Sequence, residues 1–213
     1  LTIPNTKFSV FDYNTITFCS QDESDMPFDD LETKRLLLKK LAYDDATQIQ
    51  QKFPHWDIVK YLDNRAVPWP YPDDGAEYFI NKVALPTIQA GKAWLWSIRA
   101  KIHPDELIGV IGLYDKQDNN RGFWLSLEHQ GQGLMREACE KVTNYWFHTL
   151  EQPILRTQKA SINQRSKRIS LAQGARLLRV EEKEYVSGKY DCEFWEITRD
   201  EWDNRNAILD IGD

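Results

Sequence analysis

The sequence predicts a mixed α/β domain built on one twisted sheet. Three observations carry this reading. Apolar-alternating segments follow one another between residues 93 and 128, as meandering strands do. Helical periodicity then runs from about residue 131 to 150. The chain afterwards alternates as strand, helix and two strands up to residue 198.

Each element has its own signal. Residues 1–30 read as an appendage, with a β-prone part (Phe8, Val10, Phe11, Tyr13, Ile16, Phe18) before an acidic run. It would add a strand to a sheet edge or lie over a pocket. The compact domain is expected over residues 31–200, with a tail from 201 to 213. Thr33–Leu41 alternates and is rich in Leu, which predicts a strand. Ala42–Phe53 reads as a helix with Asp44 or Asp45 near its start. Three prolines make Val67–Pro72 an extended loop, and Asp73–Gly91 is helical in pattern. Residues 93–101 place Trp94, Trp96 and Ile98 on one face of a strand. His103-Pro104-Asp105 reads as a turn into a second strand, Leu107–Tyr114. A turn at Asp118-Asn119-Asn120 leads to a third strand, Gly122–Glu128. Beyond the long helix come a strand at Ile154–Ser161 and a helix at Asn163–Gln173. Two strands, 175–186 and 189–198, follow around Ser187-Gly188.

Composition excludes several function classes. The 213 residues are 41% hydrophobic and 28% charged, an ordinary globular balance rather than a disordered one. A net charge of −6 disfavours a general binder of DNA or RNA. No apolar run is long enough to span a membrane. The three cysteines have no CxxC spacing and the four histidines no HxxH pattern, so neither a disulfide framework nor a metal site is expected. With no signal-peptide pattern at the start, a cytoplasmic location is expected. Charge is nonetheless uneven. Residues 21–32 carry six acids and no base, and residues 154–180 carry seven bases and no acid. The basic stretch is either a solvated face or a docking surface for a small polyanion.

The segment with most chemical content is FWLSLEHQGQGLMREA, residues 123–138. A strand runs into Gln130-Gly131-Gln132-Gly133-Leu134-Met135, where a helix begins. Glycines allow a tight turn and close approach of a ligand, and a helix N-terminus offers unpaired N–H groups to a phosphate. A simple strand-to-helix turn is the plainer alternative. The P-loop pattern is excluded because no GK pair follows, and the dinucleotide pattern because a third glycine is missing.

QGQGLM resembles the Q/R-x-x-G-x-G/A acetyl-CoA signature of the GNAT acetyltransferase superfamily. The wider block with Trp124, Leu125, His129 and Met135 resembles its ribosomal-protein-serine/alanine N-terminal acetyltransferase branch. Met135 stands where most of the superfamily has Gly or Ala. The resemblance implies a mostly antiparallel sheet flanked by helices, with a splayed central strand pair that holds acetyl-CoA. It implies that backbone N–H groups from Gln130, Gly131, Gln132, Gly133, Leu134 and Met135 hold the pyrophosphate. It also implies that Leu125, Ser126 and Leu127 pair with the pantetheine arm, with a nearby N–H meeting the oxyanion. Asn163 and Ser166 match the N-x-x-S of the family, which sits by the thiol; Asn163 is equally a good helix cap. The bases of 154–180 then suit the 3′-phosphate, with Arg165, Lys167 and Arg168 as candidates. Glu184-Tyr185 to Tyr190 resembles an E-Y-x-x-G-x-Y hairpin, which implies Glu184 as general base and Ser166 as general acid. A solvated hairpin charge is the alternative for Glu184. Ala175 departs from the aromatic usual after the glycine, and residues 1–30 lie outside the minimal family domain.

The expected activity is direct acetyl transfer to a primary amine, foremost a protein N-terminus. A small amine acceptor (polyamine, amino sugar or amino-nucleotide toxin) and a non-catalytic acyl-CoA-binding module are the alternatives. The Val67–Pro72 loop is expected to shape the acceptor entrance. Trp94 and Trp96 either join it there or pack in the core.

Overall fold

The computed structural model describes residues 28–210. Among them, β1 (Leu31–Glu32), β2 (Leu36–Lys40), β3 (Ala93–Ala100), β4 (His103–Tyr114) and β5 (Arg121–Leu125) form one sheet in that order. A second sheet has the order β6 (Ile154–Ala160), β8 (Gly188–Thr198) and β7 (Arg176–Tyr185). All recorded strand pairs are antiparallel. Hydrogen bonding thus divides the single sheet of the sequence reading into two, and the division falls between β5 and β6. The two strands are joined at the start of β5. There the Asn120 N–H donates to the Arg156 carbonyl at 2.7 Å, and the Arg156 N–H donates to Asn120 Oδ1 at 2.7 Å. Beyond this clasp β5 and β6 form no recorded ladder, which is the splay that the family resemblance implies.

Side-chain alternation explains the two cores. Trp94, Trp96 and Ile98 of β3 pack on α5 (Leu134–His148), whose Leu134, Ala138, Val142 and Trp146 make the inward stripe. Ala93 and Leu95 point the other way, toward α1 (Ala46–Lys52), α2 (Trp56–Val59) and the helical run from Gly75 to Gln89. Trp94 and Trp96 are therefore core residues and do not line an acceptor entrance: Trp96 is fully buried against Tyr145.

The structure corrects several boundaries. The reversal after β3 falls at Lys101-Ile102, and His103-Pro104-Asp105 already belongs to β4. The register skips from Arg99↔Leu107 to Ala100↔His103, so Pro104 sits in an irregularity where its missing N–H removes no ladder bond. The third strand stops at Leu125, and Leu127–His129 is a 3-10 turn. The helix over 73–91 is composite: α3 (Gly75–Tyr78), a π-helical stretch Phe79–Ala84, and α4 (Leu85–Gln89). Pro86 lacks the N–H that an α-helix would direct at residue 82, and the wider π register absorbs the gap.

Both ends of the domain pack more closely than the sequence indicated. Phe28 lies against Trp96, and Trp96 Nε1 donates to the Asp29 carbonyl at 2.9 Å. The rest of the N-terminal appendage lies outside the described residues. Where a tail was expected, α7 (Arg199–Asp210) seats Trp202 in the core against Phe147. No helix among the described residues is long and apolar enough to cross a membrane.

Candidate functional site at the open end of the split sheet

The loop between β5 and α5 is built to leave N–H groups free. Gly131 has φ +78° and Gly133 has φ +77°, the left-handed region that glycine adopts without cost. A Cβ at Gly131 would meet nothing within 4 Å, so the backbone there faces open space. Gly133 precedes Leu134 as the cap residue and supplies no side-chain acceptor. Among the described residues, the N–H groups from Gly131 to Arg136 have no recorded partner. The Gln130 N–H differs, since it donates to the Leu127 carbonyl at 3.1 Å. A 15-residue helix thus begins with a cluster of free donors at its positive end.

The loop is held from both sides. On one, Arg35 Nη1 donates to the Gln132 carbonyl at 3.0 Å while its Nε pairs with Glu137 at 2.6 Å. Burial alone would raise the Glu137 carboxyl, but hydrogen bonds from Thr33 and Arg35 outweigh it and hold the carboxyl below its ordinary value. On the other side, Gln130 Nε2 donates to the Leu125 carbonyl at 2.8 Å, and its Oε1 accepts from Arg165. Arg35 and Glu137 escaped the sequence reading because about a hundred residues separate them.

The strand end is mostly satisfied internally. The Ser126 N–H donates to the Ile108 carbonyl at 2.8 Å, and Ser126 Oγ lies 2.9 Å from His129 Nδ1. Of the segment Leu125, Ser126 and Leu127, the Leu127 N–H is a donor without a recorded partner among the described residues.

Helix α6 (Gln164–Ala172) starts beside this loop. Asn163 caps it, its Oδ1 accepting from the Ser166 N–H at 3.2 Å, and the Ser166 hydroxyl has no recorded bond among the described residues. The three basic candidates separate. Arg165 is committed to Gln130, and Lys167 pairs with buried Glu193 at 2.7 Å; Arg168 is exposed with no recorded partner among the described residues. Arg136, in the first turn of α5, is likewise exposed, and sequence reasoning passed over it.

Glu184 is exposed on β7 opposite Lys189. Register puts it on the same side of the sheet as Glu193, the partner of Lys167 in α6. Glu184 and Ser166 therefore share a side of the sheet. Tyr185 faces the other way, buried with Ala160, Cys192, Tyr61 and Tyr190. The hairpin tip is tied to the chain just after α2: Val186 N–H to the Leu62 carbonyl at 3.0 Å, and Ser187 N–H to the Lys60 carbonyl at 3.1 Å. Trp69 of the proline loop packs on Trp56 of α2, and both rings are exposed. Beneath α6, Lys159 is buried with its Nζ donating to Ser170 and Thr157; burial, then Arg121, brings its pKa down to about 7. Cys139 is buried in α5 and its thiol is pushed up to about 11, which makes it a poor nucleophile.

Residues 35–176 match the acetyltransferase (GNAT) domain model. The chain belongs to the GNAT acetyltransferase family. Among curated proteins it is 31% identical over 126 residues to the uncharacterised N-acetyltransferase p20 of Bacillus licheniformis, covering 56% of this chain and 67% of p20. Among solved structures, its fold is similar to RimL, a ribosomal L7/L12 alpha-N-protein acetyltransferase in complex with coenzyme A. The TM-score is 0.67 at 16% identity, covering 79% of this chain and 97% of RimL. It is also similar to MccE, a microcin C7 self-immunity acetyltransferase in complex with acetyl-CoA and AMP. There the TM-score is 0.65 at 17% identity, covering 78% of this chain and 93% of that one. The family relation makes the chain an acetyltransferase of mixed α/β fold, as the strand-to-helix motif implied.

Proposed function

We propose that this protein transfers the acetyl group of acetyl-CoA to a protein N-terminal α-amino group. The observation that carries the reading is the row of free N–H groups from Gly131 to Arg136 at the open end of the split sheet. These groups suit a pyrophosphate, and the open space above Gly131 accommodates it. The gap between β5 and β6 suits an extended pantetheine arm. Asn163 and Ser166 stand at its α6 side, and Arg168, unpaired among the described residues, suits the 3′-phosphate.

In this mechanism both substrates bind together, and proximity supplies much of the rate. The amine must be neutral to attack. An α-amino group titrates near 7.7–8.0 and a lysine near 10.4, so a glutamate base suffices more easily for the former. Glu184 takes the amine proton directly or through water. The Leu127 N–H, without a partner among the described residues, donates to the developing oxyanion. The oxyanion then collapses, the C–S bond breaks, and the Ser166 hydroxyl passes a proton to the departing thiolate while taking one from solvent.

A small-molecule amine is the second reading, and the fold likeness to MccE favours it about as much as the likeness to RimL favours the first. Thiol release with each acceptor class separates them. Turnover with Ser- or Ala-starting peptides supports the N-terminal reading. Turnover confined to polyamines, amino sugars or amino-nucleotides replaces it.

A further inference from the structure

We infer that Arg165 is a positioning residue for the donor, acting through Gln130, while Arg168 is left to meet the 3′-phosphate. The inference rests on the acetyl-CoA reading above. Gly131 and Gly133 lie in left-handed backbone with little packed against them, so this turn has little to hold its shape. Its free N–H groups converge on a ligand only when both ends of the turn are pinned. Arg35 pins the Gln132 end by its bond to the carbonyl, itself fixed by Glu137. The Gln130 end is pinned by a carboxamide with both halves used: Nε2 on the Leu125 carbonyl and Oε1 on Arg165. The carboxamide therefore links the end of β5 to the first turn of α6, across the mouth of the split between the sheets. Without Arg165 the amide loses its charged partner, and the turn must be ordered by the ligand at the ligand's expense. Arg168, one turn later in α6, is exposed with no recorded partner among the described residues.

The test is a double-mutant cycle read by calorimetric titration with coenzyme A and with dephospho-coenzyme A. Arg165→Ala and Gln130→Ala should each raise the Kd for coenzyme A about tenfold, the scale of one lost charge-assisted bond. The double variant should lose about the same tenfold rather than about a hundredfold, because one linkage is broken in each case. The Arg165→Ala loss should persist in full with dephospho-coenzyme A, whereas an Arg168→Ala loss should vanish with it. Arg165 and Gln130 are not core residues, so a circular-dichroism melt of each variant should match the parent. Additive losses, an unchanged Kd, or an Arg165→Ala loss that disappears with dephospho-coenzyme A would overturn the inference. Failure of the parent protein to bind coenzyme A would instead overturn the functional reading beneath it.

Discussion

Glu184 and Tyr185 are adjacent, yet β alternation sends one carboxylate to solvent and one phenol into the tyrosine cluster. An exposed carboxylate on this side of the sheet is within reach of solvent and of a bound acceptor. Replacing Glu184 with Gln should lower kcat by about 10²-fold and leave the Kd for coenzyme A unchanged. Unchanged turnover of that variant across pH 6 to 9 would remove Glu184 from the chemistry. Lys159 makes a pH prediction of opposite character. Its folded pKa, about 7, lies below the unfolded value near 10.4. Between these values the unfolded state binds more protons, so this group makes stability rise with pH. Below pH 7 both states are charged and the folded state carries the full cost. Lys159→Met should therefore melt higher than the parent at pH 6, with the advantage shrinking toward pH 10. An advantage constant with pH would show that Lys159 titrates alike in both states. The sequence could not single Lys159 out. It is one of seven cations in a run without acids, and only its burial under α6 separates it from its neighbours. The candidates at the strand-to-helix turn were legible for the converse reason, since glycine spacing is a backbone signal that needs no tertiary context.

Elements with a strong local period were readable, and those shaped by distant packing were not. Helix α5 shows its inward stripe in the sequence and forms as expected, three residues shorter at its start because Gly131 and Gly133 sit in left-handed backbone. Helix α7 carries few apolar residues and reads as a tail, yet Trp202 anchors it against Phe147. Trp202→Ala should cost about 3–5 kcal/mol in a urea denaturation, the usual range for a buried aromatic. A loss under about 1 kcal/mol would mean that α7 is dispensable to the core. The strand at His103–Tyr114 was misread at its start because Pro104 is a turn signal locally, while an irregular pairing with β3 gives it a place in the strand.

For the whole molecule, the donor side and the acceptor side differ in how they are encoded. In the proposed reading, the pyrophosphate part of the donor side is one contiguous stretch, from β5 through the glycines into α5, and its chemistry can be read in order. The acceptor side, in the proposed reading, is assembled when Lys60 and Leu62 meet Val186 and Ser187, more than 120 residues away in the chain. No local pattern announces such a meeting, so the acceptor follows from chemistry and the donor from sequence. The measurement that tests the central claim most directly is free-thiol release from acetyl-CoA with Ser- and Ala-starting ribosomal-protein peptides, beside the same peptides blocked at the N-terminus. The prediction is thiol release with the free peptides, an acetylated α-amino group in the product, and none with the blocked ones. Release that ignores the block, or none with any peptide while coenzyme A still binds, would contradict it.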